Sequence, residues 1–258
     1  MTPILLQVGS VKLYSFGTFI ALGALLGGLV MYRLAKIRRL KTHHFFDTVL
    51  YSLLAGLIGS RLVYYFLYQN QFQNAWQALL FWQGGLVALG GLSIGFLVFL
   101  YFIKKEKDPI WQVLDISAIA LLLAWAVGKF GCHLSACSVG RTADNFLTIN
   151  GSYPVDLFSA VWALLGFVVF TFIWFKNRLS DGVIFFLALE GLFLGELLIK
   201  TLEVDFGEGM ARAEAVVLLA LIVMLYLIFW RLHGPKFEKN RFGLAIKNFV
   251  FRKWPKRG

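Results

Sequence analysis

The sequence predicts an all-α integral membrane protein with seven transmembrane helices, an external N-terminus and a cytosolic C-terminus. Three observations lead to this prediction. First, 59% of the 258 residues are apolar and only 15% are charged, whereas soluble domains contain about 45–50% apolar and about 25% charged residues. Second, the apolar residues form long continuous runs. Third, the basic residues gather in every second loop between those runs.

Seven runs are long enough to cross a bilayer, which takes about 20 mostly apolar residues in a helix. Helices are expected because lipid cannot satisfy free backbone groups, and the runs lack the short alternating pattern of a membrane barrel. The first run does not fit a signal peptide, so we expect it to be retained. The predicted spans are 13–34, 45–68, 84–103, 110–131, 155–175, 182–203 and 211–230.

The distribution of basic residues sets the predicted orientation. Of the 25 Lys and Arg residues, 19 lie in the segments 33–41, 104–107 and 176–178 or from Arg231 onward. Cytosolic loops carry the excess of basic residues, so these loops are predicted to face the cytosol. The basic residues behind the net charge of +11 are therefore interpreted as setting the orientation of the protein in the membrane. No nucleic acid partner is expected. We predict a membrane domain over residues 1–232 and a basic cytosolic tail over 233–258.

Two segments outside the spans mix polar and apolar residues. The tail alternates basic with large apolar residues, and this pattern fits either a helix lying on anionic lipid or a solvated tail that only sets topology. Residues 69–83 are polar and aromatic, and we expect them to lie on the outer membrane surface.

Ionisable residues within the spans are costly in lipid and are therefore candidates for function. Glu196 and Lys200 are four residues apart on one helix face, where the alternative to function is that they neutralise each other. Asp115 lies nearer the cytosolic side and is interpreted as structural. The candidates are Arg61, Asp115, Lys129, Asp156, Glu190, Glu196 and Lys200.

The densest cluster of polar residues closes the fourth span at its external end, in the segment GKFGCHLSACSVGR over 128–141. Arg141 is suited to bidentate phosphate binding, and Lys129 can add a point charge. Glycines such as Gly140 let backbone N–H groups approach an anion closely. The predicted ligand is a phosphate-bearing lipid headgroup. The alternative is an interfacial loop whose basic residues contact lipid phosphates non-specifically.

The same segment holds both cysteines of the chain. Cys132, His133 and Cys137 resemble part of a metal site, but no second Cys or His pair completes it. A disulfide between the two cysteines is a second interpretation, and two free thiols are the third.

Several segments resemble those of the prolipoprotein diacylglyceryl transferase family, over most of residues 3–230. The 128–141 segment is similar to the family signature, commonly Gly-Arg-x-Gly-Asn-Phe-x-Asn-x-Glu-x-x-Gly-Arg, in which some relatives carry Cys at the Asn and Glu positions. Other stretches match its first, second and fifth helices and its Trp-x-Gly-Gly-Leu stretch. These stretches are VKLYSFGTFIALG, FFDTVLYSLLAGLIGSRLVYYFLY, YPVDLFSA and FWQGGLVALGGLSIG.

The resemblance implies an activity and its partners. The family transfers the diacylglyceryl group of phosphatidylglycerol to the lipobox cysteine in the signal peptide of a prolipoprotein, in the bacterial inner membrane. A thioether forms and glycerol phosphate leaves. The resemblance implies no metal or organic cofactor, and it implies that membrane lipid supplies one substrate.

The resemblance also suggests site residues by position. Arg141 and Gly140 end the signature, Arg61 matches an arginine of the second helix, and Tyr14 matches a tyrosine of the first. We expect Arg141, Lys129 and Arg61 to bind the lipid phosphate, with Lys200 as a further substrate-binding residue. The hydroxyls of Tyr14 and Tyr64 are expected to bind the glycerol or carbonyl oxygens.

The chain departs from the family pattern at four places. Leu89 stands at the position of a family histidine, Lys129 replaces an arginine, and His133 replaces a phenylalanine. In the sixth span, Glu196 and Lys200 reverse the family order of Arg and Glu. His133 or Glu196 is therefore the candidate base.

The departures leave three further interpretations. One is a related enzyme with another donor or acceptor. Another is a non-catalytic membrane protein that binds anionic phospholipid or a lipoprotein precursor. A transporter or channel is the least favoured, because the sequence shows no inverted repeat or matched pair of broken helices.

Overall fold

The computed structural model describes residues 4–8, 11–41, 44–69, 87–149, 151–176 and 179–204, together with positions 219, 222, 223, 225, 226, 229 and 230. The predicted surface segment 69–83 and the tail 233–258 lie outside these residues, apart from Gln69. The elements are β1 (Ile4–Val8), β2 (Val11–Tyr14), α1 (Ser15–Ile37), α2 (Phe45–Leu67), α3 (Ala88–Lys105), α4 (Ile110–Ser135), α5 (Val155–Lys176) and α6 (Val183–Lys200).

The helices confirm the prediction of a helical multi-pass membrane protein. Among the described residues, α1, α2, α4 and α5 have 22 to 26 residues each and are apolar enough to span a bilayer. Helices α3 and α6 have 18 residues each, which corresponds to about 27 Å of helix. The described positions between 219 and 230 are helical and fall within the seventh predicted span.

A β-hairpin precedes the first helix and is an addition to the all-α prediction. Strands β1 and β2 pair antiparallel, with Val8 opposite Val11. Helix α1 consequently begins at Ser15, whereas the predicted span began at residue 13, because Leu13 and Tyr14 belong to β2. The sequence signal for this hairpin is a Gly-Ser dipeptide between two short apolar runs.

Helix α4 is the central helix, and it packs against α1, α5 and α6. Small residues allow the close approach of α1, since a Cβ at Gly23 would lie 2.7 Å from the carbonyl oxygen of Ala124. Small residues at helix interfaces are typical of membrane bundles. The largest buried cluster draws on all six helices. Its members are Met31, Leu34, Ala35, Phe45, Phe99, Ile103, Val113, Leu114, Ile116, Ile119, Ala120, Trp174 and Ile184.

Helices α2 and α3 form a separate close pair. A Cβ at Gly91 would lie 2.9 Å from the carbonyl oxygen of Gly56, and a Cβ at Gly95 would lie 2.9 Å from that of Ser52. The two backbones are therefore nearly in contact. Leucine and isoleucine side chains on the outer faces of the bundle remain exposed, among them Leu25, Ile58 and Leu97, as expected for surfaces in contact with lipid.

Asp115 of α4 caps the beginning of α6. Its carboxylate accepts hydrogen bonds from the backbone N–H groups of Gly182, at 2.7 Å, and Phe185, at 2.8 Å. The first N–H groups of a helix have no partner within the helix and carry partial positive charge, so a carboxylate stabilises them. This contact confirms the structural interpretation of Asp115.

Candidate functional site

The site is built where α4 ends. Ala136 adopts the left-handed conformation with φ 55°. The N–H of Ala136 donates to the carbonyl of His133 at 3.3 Å, and the N–H of Cys137 donates to the carbonyl of Cys132 at 3.1 Å. These two bonds define a Schellman motif, in which Cys132 is the C3 residue and Cys137 the C″ residue. The chain is thereby turned sharply out of α4 into the loop that follows.

Backbone hydrogen bonds tie this loop to the end of α6. The N–H of Arg141 donates to the carbonyl of Leu202 at 2.8 Å, and the N–H of Val204 donates to that of Val139 at 3.0 Å. Gly140 lies between these two bonds, and a Cβ there would collide with the carbonyl oxygen of Tyr153. The close approach of two backbone segments explains why a residue without a side chain occupies position 140.

A pocket of about 120 Å³ opens between the loop and the start of α5. Its wall combines an imidazole, hydroxyls and a carboxylate with backbone and apolar groups. The lining residues are His133, Ala136, Ser138, Val139, Gly140, Ile149, Ser152, Tyr153, Pro154, Val155 and Asp156.

A charged network lies against this pocket and joins three helices. The Lys129 ammonium of α4 is 3.5 Å from Asp156 Oδ1 of α5 and 3.3 Å from Glu196 Oε2 of α6. Trp125 Nε1 donates to Glu196 Oε1 at 2.7 Å. Ser138 donates to Asp156 through its backbone N–H at 3.1 Å and through its hydroxyl at 3.2 Å. One cation thus compensates two carboxylates, and the three charged groups carry a net charge of about −1 when all are ionised.

The structure brings together four of the residues expected at the site. His133 and Gly140 line the pocket. Lys129 contacts Asp156 of the pocket wall, and Glu196 contacts Lys129. Glu196 was expected to pair with Lys200 of its own helix, but it pairs with Lys129 across the interface between α6 and α4.

The remaining expected residues lie outside the pocket lining. Arg141 is exposed, and its Nε donates to the carbonyl of Glu203 at 3.2 Å. Arg61 is buried in α2, with its guanidinium 5.5 Å from the centre of the Tyr64 ring. Tyr14 is exposed at the junction of β2 and α1. Lys200 is half-buried in the last turn of α6.

Three residues of the network were given no role at the site by the sequence. Asp156 was one of the ionisable candidates for function, since a carboxylate within a span is costly, but the sequence did not place it beside Lys129. Trp125 and Ser138 had no comparable signal, because an aromatic residue in a span and a serine in a loop are common. Their roles depend on helix packing that the sequence pattern does not specify.

The thiols of Cys132 and Cys137 are free. Within the described ranges, no group of three or more His, Cys, Asp or Glu side chains is arranged to hold a metal ion. The metal interpretation of Cys132, His133 and Cys137 therefore has no geometric support.

Comparison with protein families identifies the chain. The sequence profile of prolipoprotein diacylglyceryl transferases matches residues 3–230, which include every described element and the whole site. The chain belongs to the prolipoprotein diacylglyceryl transferase family. This match confirms the family resemblance of the sequence.

Relatives that bear the name phosphatidylglycerol–prolipoprotein diacylglyceryl transferase include the following three. The Streptococcus pneumoniae protein is 27% identical over 91% of this chain and 97% of its own length. The Halalkalibacterium halodurans protein is 28% identical over 88% of this chain and 85% of its own. The protein of a Nostoc species is 27% identical over 79% of each chain. The similarity thus extends over 79% or more of each of these proteins.

Proposed function

We propose that this protein transfers the diacylglyceryl group of phosphatidylglycerol to the lipobox cysteine of a prolipoprotein signal peptide. The family match over residues 3–230 carries this proposal, and the names of the relatives agree with it. In the reaction, the cysteine sulfur attacks the glyceryl carbon that bears the phosphate ester. A C–S bond forms, the C–O bond to phosphate breaks, glycerol phosphate leaves, and a base takes the thiol proton.

We propose Arg141 and Arg61 as the principal phosphate ligands. Both carry a guanidinium, which can bind phosphate through two parallel hydrogen bonds. Lys129 is also a candidate ligand, but two carboxylates already compensate its charge. Tyr14, Tyr64 and Lys200 remain proposed contacts to the glycerol, carbonyl or phosphate oxygens.

We propose His133 as the base. Its ring lines the pocket, and a neutral imidazole has one nitrogen that can accept a proton. Glu196 is the alternative base, but its two carboxylate oxygens contact Trp125 and Lys129. These contacts support a role for Glu196 in positioning Lys129.

The proposed topology places the site at the outer face of the bacterial inner membrane. Seven spans with a cytosolic C-terminus would put the end of α4 outside, next to the emerging prolipoprotein. Alkaline phosphatase fused after residue 145 should be active, and the same fusion after residue 107 should be inactive. The opposite result would contradict the proposed orientation.

The reaction can be tested in phosphatidylglycerol vesicles with a synthetic lipobox peptide. Mass spectrometry should find the diacylglyceryl adduct on the peptide cysteine. Arg141→Ala should abolish the adduct, whereas Arg33→Ala, which removes an exposed arginine of α1, should preserve it. Absence of the adduct, with a family enzyme active in parallel, would contradict the proposal.

A second candidate function is phospholipid binding without transfer, or transfer with another donor or acceptor. The compensated charge of Lys129 and the presence of Leu89 in place of the family histidine favour it. If the protein only binds phospholipid, it would retain lipid on purification, Arg141→Ala would weaken the retention, and neither the wild type nor the variant would form a covalent product.

A further inference from the structure

Cys132 and Cys137 occupy the two positions of the Schellman motif whose side chains characteristically meet. In this motif the C3 and C″ residues lie on the same side of the chain reversal, and an apolar contact between them often accompanies the two backbone bonds. Both backbone bonds are present here, at 3.3 Å and 3.1 Å. The motif therefore brings the side chains of Cys132 and Cys137 to the same side of the turn.

We propose that Cys132 and Cys137 form a reversible intramolecular disulfide that fixes the end of α4 beside the pocket. A disulfide needs its two Cβ atoms close together, and the Schellman motif brings the side chains of its C3 and C″ residues next to each other. In the proposed topology the pair lies outside the cytosol, where disulfides persist. The proposal does not depend on the transferase activity, since it concerns only the two thiols and the backbone that carries them.

The proposed oxidant is a small-molecule or protein disulfide. Cys137 is exposed and Cys132 is partly buried, so the Cys137 thiolate attacks first. It forms a mixed disulfide and expels one thiolate of the oxidant. The Cys132 thiolate then attacks the Cys137 sulfur and expels the second thiolate. The two protons of the cysteines pass to the two departing thiolates, so one disulfide is exchanged for another and the electrons balance.

The disulfide would affect the pocket through Ser138, the residue that follows Cys137. Ser138 donates two hydrogen bonds to Asp156, and Asp156 in turn pairs with Lys129 at 3.5 Å. Ala136 holds the motif in the left-handed conformation, which is unfavourable for a residue with a side chain. A covalent bond across the motif prevents the turn from opening, so it also holds Ser138 in place against Asp156.

The first test counts thiols, which is unambiguous because the chain has only two cysteines. The full-length protein in detergent is incubated with oxidised glutathione, denatured, alkylated with N-ethylmaleimide and weighed by mass spectrometry. The expected product has lost two hydrogens and carries no adduct, and dithiothreitol should restore two alkylation sites. Two free thiols, only glutathione adducts or only disulfide-linked dimers would overturn the proposal. Cys132→Ser and Cys137→Ser are the single-thiol controls.

The second test measures the effect on the loop. Hydrogen exchange of peptides covering 132–141 should be at least several-fold slower in the oxidised protein than in the reduced protein. The double variant with both cysteines replaced by serine should exchange at the same rate with and without oxidised glutathione. Equal exchange in oxidised and reduced wild-type protein would contradict the proposal that the disulfide fixes this turn.

Discussion

Lys129 of α4 lies 3.3 Å from Glu196 of α6, with its ammonium directed at Oε2. The other oxygen of Glu196 accepts a hydrogen bond from Trp125, one turn earlier on α4. Both oxygens of this carboxylate thus contact α4. A carboxylate in this environment requires such partners, because an isolated charge away from water is strongly disfavoured.

Glu196→Gln should lower the free energy of unfolding by about 1–3 kcal/mol, since it removes one of the two carboxylates that compensate Lys129. Thermal unfolding in detergent would measure the change. Glu190→Gln is the matched control, because Glu190 lies on the same helix and makes no ion pair among the described residues. Equal destabilisation by the two variants would show that the Lys129 contact has no special importance.

Gly140→Ala should destabilise the protein by about 1–3 kcal/mol, because the added methyl overlaps the Tyr153 carbonyl and forces the backbone apart. It should also reduce transfer activity, since Gly140 lines the pocket. Gly128→Ala provides the comparison within the same segment, because nothing lies within 4 Å of its added Cβ. That variant should unfold at the wild-type temperature or slightly above it.

Asp115→Ala should lower the free energy of unfolding by about 2 kcal/mol, since the N–H groups of Gly182 and Phe185 lose their acceptor. Asp115→Asn keeps one oxygen acceptor and replaces the other by an NH2 group, so it loses the charge and one of the two hydrogen bonds, and its effect should be smaller. Both effects can be read from unfolding curves in detergent. An equal loss in the two variants would mean that a single remaining acceptor does not stabilise α6.

Gly91→Leu should separate α2 from α3 and destabilise the protein by at least about 1–3 kcal/mol, because the side chain has no space against the Gly56 carbonyl. Gly17→Leu adds the same side chain where nothing lies within 4 Å of a Cβ. The second variant should therefore express and unfold like the wild type. If Gly91→Leu unfolded at the wild-type temperature, the close contact of the two backbones would be contradicted.

Much of the architecture could be predicted because a segment that spans lipid must satisfy its own backbone hydrogen bonds, which a continuous helix does. Six predicted spans coincide with α1 to α6 within a few residues. The β-hairpin escaped the prediction because its strands are short and merge into the first apolar run. In that run, Leu13 and Tyr14 fit a helix as well as a strand.

The location of the site could be predicted, but its internal contacts could not. The 128–141 segment stands out by its density of charged, thiol and glycine residues, and the pocket does lie beside it. The pairing of Glu196 with Lys129 was missed because spacing along one helix shows only neighbours within that helix. The rotation of α6 against α4 decides this contact, and buried apolar packing sets that rotation.

The separate pairing of α2 with α3 has a consequence for how lipid is bound. Among the described residues, both helices join the main buried cluster at one end only, through Phe45, Phe99 and Ile103. The pair is therefore held to the rest of this cluster at that end, and Arg61 lies on its other half. The backbone of Arg141 is bonded to the residues that follow α6. A phosphate held by both arginines would therefore link the α2–α3 pair to the end of α6, away from the cluster that otherwise joins them.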